Sequence, residues 1–599
     1  MTIVPMQRVT LCGLLRDKPG VLEELQALGA MHLIALRTPD PLAPDDPAMR
    51  RRAETAFRYL LNAPEQLRPY RRNTDFDFEV MIGEIMANRQ LQRELSDRRD
   101  DLNALIEGLE PWGDFVLPAP RQIGGEHLWL YVLPRKEQPA LDKVDLPWAI
   151  VAQQPDALFV VVISPKEPPV NLLPARRTEV GKAPLSKLRE ELEEVEIALE
   201  KAAMERAQLT RWRVLLGASL AAAQDQDALR EASGLTLDTD GVFAVQGWIA
   251  SEKEPALEDF AARHRLAVLH EAPAASDMPP TLLRPNSKWG VIGSDLTNFY
   301  ATPGYRSWDP SFLVFTSFAV FFAMILADAG YAALIGIGTL FYWRRMGRSA
   351  VGRRARLLLA GLVGTSLVYG VLAGSYFGVA PHEGTFLARL DVIDVDNFQK
   401  MMRLSVLVGC LHIALALGTV AWLNRGTGRM LSSLGWIGVI VASLFIWLEA
   451  DSEAARNGGF IAIGASLFAV FLGGASARPI TRPLDHVLRI SDGLLGMTSV
   501  TKLFGDVLSY LRLFALGLAS ASLAATFNKL AIGLQMGRPG LGVLFSILLL
   551  IFGHSINILI GIMSGVVHGL RLNYVEFFGW GLTEEGYPFR AFAKRETSA

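Results

Sequence analysis

The sequence predicts two fold classes in one chain. An all-α membrane domain of eight transmembrane helices, the last two long and tilted, follows an α/β cytoplasmic N-terminal arm with an antiparallel coiled coil. Three observations carry this. The 599 residues exceed one ordinary soluble core. Up to about Asp309 the chain is charged and mixed, and from Ser311 onward it carries long apolar runs broken by short polar loops. The mean hydropathy of +0.25 averages these two halves. The arm is therefore placed at residues 1–300 and the membrane domain at 301–599.

In the arm, "QRVTLCGLL" (7–15) reads as a strand, followed by a helix and a second strand in "KPGVLEELQALGAMHLIAL" (18–36). Period-2 patterns recur at 127–135, 148–164 and 241–251. Such patterns between helices predict α/β lobes at 1–80, 110–180 and 235–300. Two helical seams lie between them, at about 82–110 and 185–230. Leu91, Leu95, Leu102, Leu105 and Leu109 form one; Leu188, Leu192, Val195, Leu199, Ala202 and Leu209 form the other. Steps of three and four flanked by Glu, Lys and Arg predict a coiled coil. Each run covers only about three heptads, so an antiparallel pair with a lobe at its turn is expected. Two ordinary amphipathic surface helices are the alternative.

Composition excludes several functions. The net charge is −2 and no basic tract suggests nucleic acid. Cys12 and Cys410 lie in different halves, which predicts reduced thiols rather than a mutual disulfide. "VGKAP" (180–184) lacks the residues of a phosphate loop. No HExxH or paired CxxC occurs, and His32, His127, His264 and His270 are scattered. No catalytic residue, cofactor or metal site is read from the sequence. "MTIVPMQRVTLCGLL" lacks the charged and apolar regions of a signal peptide, which places the arm in the cytoplasm.

A span needs about 20 apolar residues. The runs 310–326, 329–343, 357–378, 401–423, 431–448 and 459–474, with the longer 493–534 and 541–572, give eight. "ADAGY" (327–331) divides the first two, and Asp328 is expected to cap or hydrogen-bond that break. "WRRMGRSAVGRRAR" (343–356) carries six arginines and is expected on the cytoplasmic side. The loops at 424–429 and 477–489 and the C-terminus then lie inside, and those at 381–398 and 451–459 outside.

Between Gly493 and Leu570 the charged residues are Lys502, Asp506, Arg512, Lys529 and Arg538. A straight helix over 493–534 would be roughly 60 Å long, about twice the bilayer core. It must tilt, break or protrude. In the last segment His554, Asn557, Ser564, His568 and Arg571 fall on one helical face, with Gly561 filling the gap. "QMGRPG" (535–540) makes the turn. Arg512 lies 27 residues before Pro539 and Arg571 lies 32 after it, so an antiparallel hairpin brings both to similar depth. Arginine stays protonated, and a cation in a bilayer costs roughly 2.5 kcal/mol or far more. Asp506 and Glu576 are the acids close in sequence. The missing counter-charge is therefore expected on another subunit, as a membrane carboxylate that comes and goes.

With these residues on the page, the chain resembles the membrane stator subunit of V-type and A/V-type ATPases, subunit a or subunit I. The resemblance runs along almost the whole chain, through "MQRVTLCGLLRDKPGVLEELQALGAMHL", "FAVQGWIA", "DPSFLVFTSFAVFFAMILADAGY", "DVLSYLRLFALGLA" and "VVHGLRLNYVEFFGWGLTEEGYPFRAF". It implies a non-catalytic subunit of an ATP-driven rotary ion translocase, multi-pass in the plasma membrane of a prokaryote. The implied partners are the rotor ring of c or K subunits, the peripheral stalk subunits that bind the N-terminal lobes, and the central stalk or collar subunit. Arg512 matches the arginine between the two ion half-channels, and Arg571 the second arginine on the last helix. Vacuolar members carry acids where this chain has Gly561 and Thr498. His554, His568, Ser509 and Glu576 are the expected substitutes, and Asp506, Asn557 and Ser564 are expected along the same ion path. A secondary transporter with a cytoplasmic regulatory coiled-coil domain is the alternative function, and its internal repeats are not visible. A purely structural scaffold would leave the arginines unexplained.

Overall fold

The structure is a computed structural model. It describes residues 3–37, 47–72, 76–118, 120–169, 172–178, 183–284, 288–382, 384–393, 397–449, 452–476, 484–537, 540–582 and 584–595. Along the chain run β1 (Met6–Leu14), α1 (Lys18–Leu28), β2 (Met31–Ile34), α2 (Pro47–Leu61), α3 (Phe78–Leu109), β3 (His127–Pro134), β4 (Trp148–Gln153), β5 (Ala157–Ser164) and β6 (Arg176–Thr178). Then follow α4 (Leu185–Leu209), α5 (Arg213–Leu235), β7 (Leu237–Thr239), β8 (Val242–Ala250), α6 (Glu254–His264), β9 (Ala267–Glu271), α7 (Lys288–Tyr300), β10 (Thr302–Pro303), α8 (Ser311–Leu326), α9 (Ala329–Met346) and α10 (Ala350–Leu372). The rest is α11 (Phe398–Leu423), α12 (Gly428–Leu448), α13 (Glu453–Ser476), α14 (Leu484–Met497), α15 (Val500–Ser509), α16 (Leu511–Gly537), α17 (Leu541–Arg571), α18 (Phe578–Gly581) and β11 (Glu585–Gly586).

The chain divides into two compact units. One combines Met1–Lys18, Ala30–Leu36 and Thr236–Phe592; the other combines Pro19–Gly29, Arg37–Leu235 and Ala593–Ala599. The second unit holds α3 and α4 packed antiparallel. Leu102, Leu109, Leu185, Leu188 and Val195 are buried along the seam, with Leu95, Ile106, Leu192 and Leu199 against them. Arg98 and Arg189 reach across it to Glu191 and Glu110. At one end stands the antiparallel sheet β4-β5-β3-β6. The helix expected over 185–230 breaks at Thr210–Trp212. There Thr210 Oγ1 accepts from Leu67 N (2.9 Å) and Arg213 donates to the Leu67 carbonyl (2.6 Å), so the chain near Leu67 holds the break. Most of "VGKAP" (180–182) lies outside the described residues.

In the first unit β1 pairs along its full length with β8, from Met6↔Ala250 to Leu14↔Val242, in the sheet order β2-β8-β1-β9. Val9, Leu11, Phe243 and Ile249 are fully buried in it. The chain after α18 returns to this sheet: Phe592 N donates to the Met31 carbonyl (2.7 Å) and Arg590 N to His32 Nδ1 (2.9 Å).

Among the described residues, six helical segments are long and apolar enough to cross a membrane: α10, α11, α12, α13, the composite 485–535 and the composite 541–581. The shorter α8 is apolar on all sides because it is enclosed; Phe318, Phe321, Phe322, Ile325 and Leu326 are buried. At "ADAGY" the chain breaks as the sequence implies. Ala327 adopts φ 46° and Asp328 caps α9. The Asp328 carboxylate accepts from Tyr331 N (2.9 Å), Phe377 N (3.0 Å), Ser375 Oγ (2.7 Å) and Gly378 N (2.9 Å). Four donors on a buried carboxylate satisfy it without a cation. The apolar run 493–534 is broken between α14 and α15 and again at Tyr510. The last segment runs unbroken through α17 into a π-helical turn, Leu572–Phe577. Loop residues 383, 394–396, 450–451 and 477–483, and Arg538 and Pro539 of the hairpin turn, lie outside the described residues.

Candidate functional site

α16 and α17 form an antiparallel hairpin whose register is fixed by side chains. Ser546 Oγ donates to the Ala531 carbonyl (2.9 Å), His554 Nε2 meets Asn528 Oδ1 (3.1 Å), and Asn557 Nδ2 donates to the Ser520 carbonyl (2.9 Å). The same register carried on sets Arg512 near the end of α17, and Arg512 and Arg571 lie within electrostatic reach of each other. The close approach of α17 to α8 needs small residues. A side chain at Gly565 would meet Phe322 at 2.6 Å, and one at Gly569 would meet Phe318 at 3.2 Å.

Arg512 stands in the first turn of α16, just past the break at Tyr510. It is half-buried, and its Nη1 is enclosed without a hydrogen-bond partner among the described residues. Arg571 ends α17 and is exposed. Glu576 sits in the π-helical turn, 1% exposed, its Oε2 without a partner among the described residues, within reach of both arginines. Ser509 Oγ lies against the Glu576 carboxyl and within hydrogen-bond distance of the Gly505 carbonyl (3.1 Å); its single proton serves one of the two. His568 Nδ1 is buried and has no partner among the described residues; it lies within reach of Arg512 and Arg571. Asp506 Oδ2 accepts from Trp580 Nε1 (2.7 Å). The structure therefore brings Arg512, Arg571, His568, Ser509 and Glu576 together, with Asp506 tied to Trp580 beside them. Ser564 lies half-buried on α17 between His568 and Asn557. A buried carboxyl with a free oxygen beside two guanidinium groups is suited to taking up and releasing a proton. Single π-turns inside helices recur at functional positions.

Further along the hairpin, His554 and Asn557 join a second network that includes Tyr331, a residue the sequence did not single out. Tyr331 Oη lies 2.7 Å from His554 Nδ1 and accepts from Asn557 Nδ2 (3.0 Å); Ser520 Oγ donates to Asn557 Oδ1 (3.2 Å). Asn528 Nδ2 donates to the Phe377 carbonyl (2.8 Å), which turns its Oδ1 toward His554. His554 thus donates from Nε2 to Asn528 and accepts at Nδ1 from Tyr331, as a neutral imidazole with both nitrogens engaged. Beyond the network a polar cavity of about 370 Å³ is lined by residues including Ser375, Asp391, Ser522, Thr526 and Lys529.

His412 of α11 and Tyr510 also escaped the sequence. The fully buried Tyr510 Oη lies 2.8 Å from His412 Nδ1. The His412 ring stacks on Phe577 at 4.4 Å, and its Nε2 is buried without a partner among the described residues. The visible signal for Tyr510 was its place two residues before Arg512; nothing local marked His412.

Fold and site together define a helical protein with six segments long and apolar enough to cross a membrane, and with two arginines and a buried carboxyl gathered where its last long hairpin ends. Residues 500–594 match the model of the V-type ATPase 116kDa subunit family. Over 639 residues the chain is 27% identical to V-type ATP synthase subunit I 1 of Treponema pallidum, covering 99% of this chain and 100% of that one. It is 31% identical over 313 residues to A-type ATP synthase subunit I of Pyrococcus abyssi, covering 51% of this chain and 46% of that one. The crystal structure of the cytoplasmic N-terminal domain of subunit I, a homolog of subunit a of V-ATPase, aligns with 44% of this chain and 100% of that chain at 18% identity, with a TM-score of 0.24. The chain is thus similar to subunit I of the V-type and A-type ATP synthases, the resemblance that its motifs carry.

Proposed function

We propose that the chain is the stator subunit of a rotary V/A-type ATPase. It crosses the plasma membrane of a prokaryote eight times, α8 and α9 adding two crossings to the six long segments. The N-terminal arm, with α3 and α4 as its coiled-coil strut, stays in the cytoplasm and links the membrane sector to the peripheral stalks and the collar of the central stalk. The hairpin of α16 and α17 lies beside the rotor ring and forms the ion half-channels.

One observation carries the proposal: the half-buried Arg512, on an apolar helix, pairs with no carboxylate among the described residues, and its Nη1 finds no hydrogen-bond partner among them. A passing rotor carboxylate satisfies it. At about 4 Å and an effective dielectric near 20, the attraction is about 4 kcal/mol. That holds the carboxylate ionised yet lets rotation break the pair. Glu576, with Ser509, His568 and Asp506 around it, exchanges the ion on one side. The cavity beside Ser522 and Lys529 admits it on the other, where His554, Asn557 and Ser564 shape the path. Arg571 adds positive potential and so blocks a direct leak. The test is ATP-driven ion pumping by the assembled complex carrying Arg512→Ala. Pumping is expected to be abolished, and to be reduced less severely by Arg571→Ala. Wild-type pumping by Arg512→Ala would remove Arg512 from the mechanism.

A further inference from the structure

We propose that the arginine-rich turn joining α9 to α10 binds the phosphate of an anionic membrane phospholipid. Residues 343–356 hold Arg344, Arg345, Arg348, Arg353, Arg354 and Arg356. α9 and α10 pack as a hairpin, so all six converge on one short turn. Two of them brace it: Arg353 donates to the Gly347 carbonyl (3.3 Å) and Arg356 to the Trp343 carbonyl (3.4 Å). Arg354 pairs with Asp295 of α7 (2.9 Å). Arg344, Arg345 and Arg348 are exposed and pair with no carboxylate among the described residues. Ser349 caps α10 by accepting from Gly352 N (2.9 Å), which leaves the Ala350 and Val351 amides at the helix start without intrahelical partners. Three free guanidinium groups beside a helix N-terminus make an anion site.

The surroundings name the anion's source. Directly beside the cations, Leu340, Phe341 and Val351 are 71%, 81% and 78% exposed, an apolar surface that suits acyl chains. Trp343, under the Arg356 guanidinium at 4.8 Å, and Trp289, stacked on Phe315 at 5.3 Å, are aromatic residues of the kind found at the membrane–water interface. The charges therefore stand at headgroup level, where the apolar surface ends. Inorganic phosphate would use the guanidinium groups and leave the apolar surface idle; a phospholipid uses both. Setting the orientation of the spans requires only positive charge, whereas the guanidinium fork matches two phosphate oxygens at once.

The test uses the full chain in detergent, with phosphatidylglycerol, phosphatidylcholine of the same acyl chains, and inorganic phosphate as probes. Native mass spectrometry counts retained lipid, and the thermal midpoint reports stabilisation. Retention of phosphatidylglycerol is expected to exceed that of phosphatidylcholine about tenfold or more, since each arginine near an anionic surface adds several-fold. Arg344→Gln, Arg345→Gln and Arg348→Gln together are expected to abolish the preference, and lysine at the same positions to keep only part of it. Arg425→Gln with Arg429→Gln, in the next loop on the same side, is expected to leave it intact. Equal retention of the two lipids by the unmodified chain would overturn the proposal without any variant. So would a full thermal shift from inorganic phosphate alone, full retention by the lysine variant, or an equal loss in the second loop. None of these readouts depends on the role given to Arg512.

Discussion

The imidazole of His412 and the phenol of Tyr510 meet at 2.8 Å, two residues before Arg512. A face of the same imidazole stacks on Phe577, next to Glu576. One side chain of α11 therefore joins the helix break that places Arg512 to the π-turn that places Glu576. His412→Phe and Tyr510→Phe remove the hydrogen bond while keeping the rings, at about 1 kcal/mol each. Each is expected to lower ATP-driven pumping several-fold while ATP hydrolysis persists. The double variant is expected to lose no more than the worse single variant, because both remove one interaction. Additive losses would separate the two residues.

Glu576 carries a buried oxygen without a partner among the described residues, within electrostatic reach of both arginines. Glu576→Gln keeps the volume and removes the proton site. Pumping should fall by roughly 100-fold, the usual size of a lost acid–base group, in a complex that still assembles. Unchanged pumping would return Glu576 to a packing role.

Asp328 is fully occupied by four donors, three of them from the chain just after α10. Asp328→Asn turns one acceptor into a donor that faces other donors. The expected loss is about 1–3 kcal/mol of stability, read as a lowered thermal midpoint, with pumping per folded complex retained. Lost pumping at unchanged stability would make Asp328 an ion carrier instead of a cap.

His32, outside the membrane helices, accepts the Arg590 amide at Nδ1. Burial, with the Arg590 charge added, holds its pKa below the usual 6.5. The unfolded chain then takes up a proton near pH 6.5 that the folded chain still refuses. Stability from this contact is full above that pH and falls as pH drops through the lowered value. Hydrogen exchange at Arg590, corrected for the intrinsic rate, should accelerate from pH 7.5 to 5.5, and less so in His32→Gln. Protection that grows toward acid would contradict this.

Much was legible in the sequence because it is local. Apolar runs marked the membrane helices, and Gly330 with Asp328 marked the break between α8 and α9. Arg512 stood out because a cation in an apolar run has no local explanation. What the sequence did not show depends on partners distant in the chain. The polar face of α17 was visible as a period. That its glycines meet Phe318 and Phe322 of α8, and that His554 meets Tyr331, depends on helices more than 200 residues away. Likewise the pairing of β1 with β8 spans the whole arm. The halt at Tyr510 is set by burial against α11, which no propensity of "LSYLR" records.

Ala515 and Ala519 lie exposed on α16 one and two turns past Arg512, whereas Ala524 is 1% exposed. Disulfide cross-linking in the assembled complex therefore tests most directly whether this face meets the rotor. A cysteine at 515 or 519 should join a cysteine set one turn from the ring carboxylate, and should stop rotation until reduced. A cysteine at 524 should not. Cross-links absent from 515 and 519 but formed from a cysteine at Val441, exposed on α12, would place the ring elsewhere and leave Arg512 without its carboxylate.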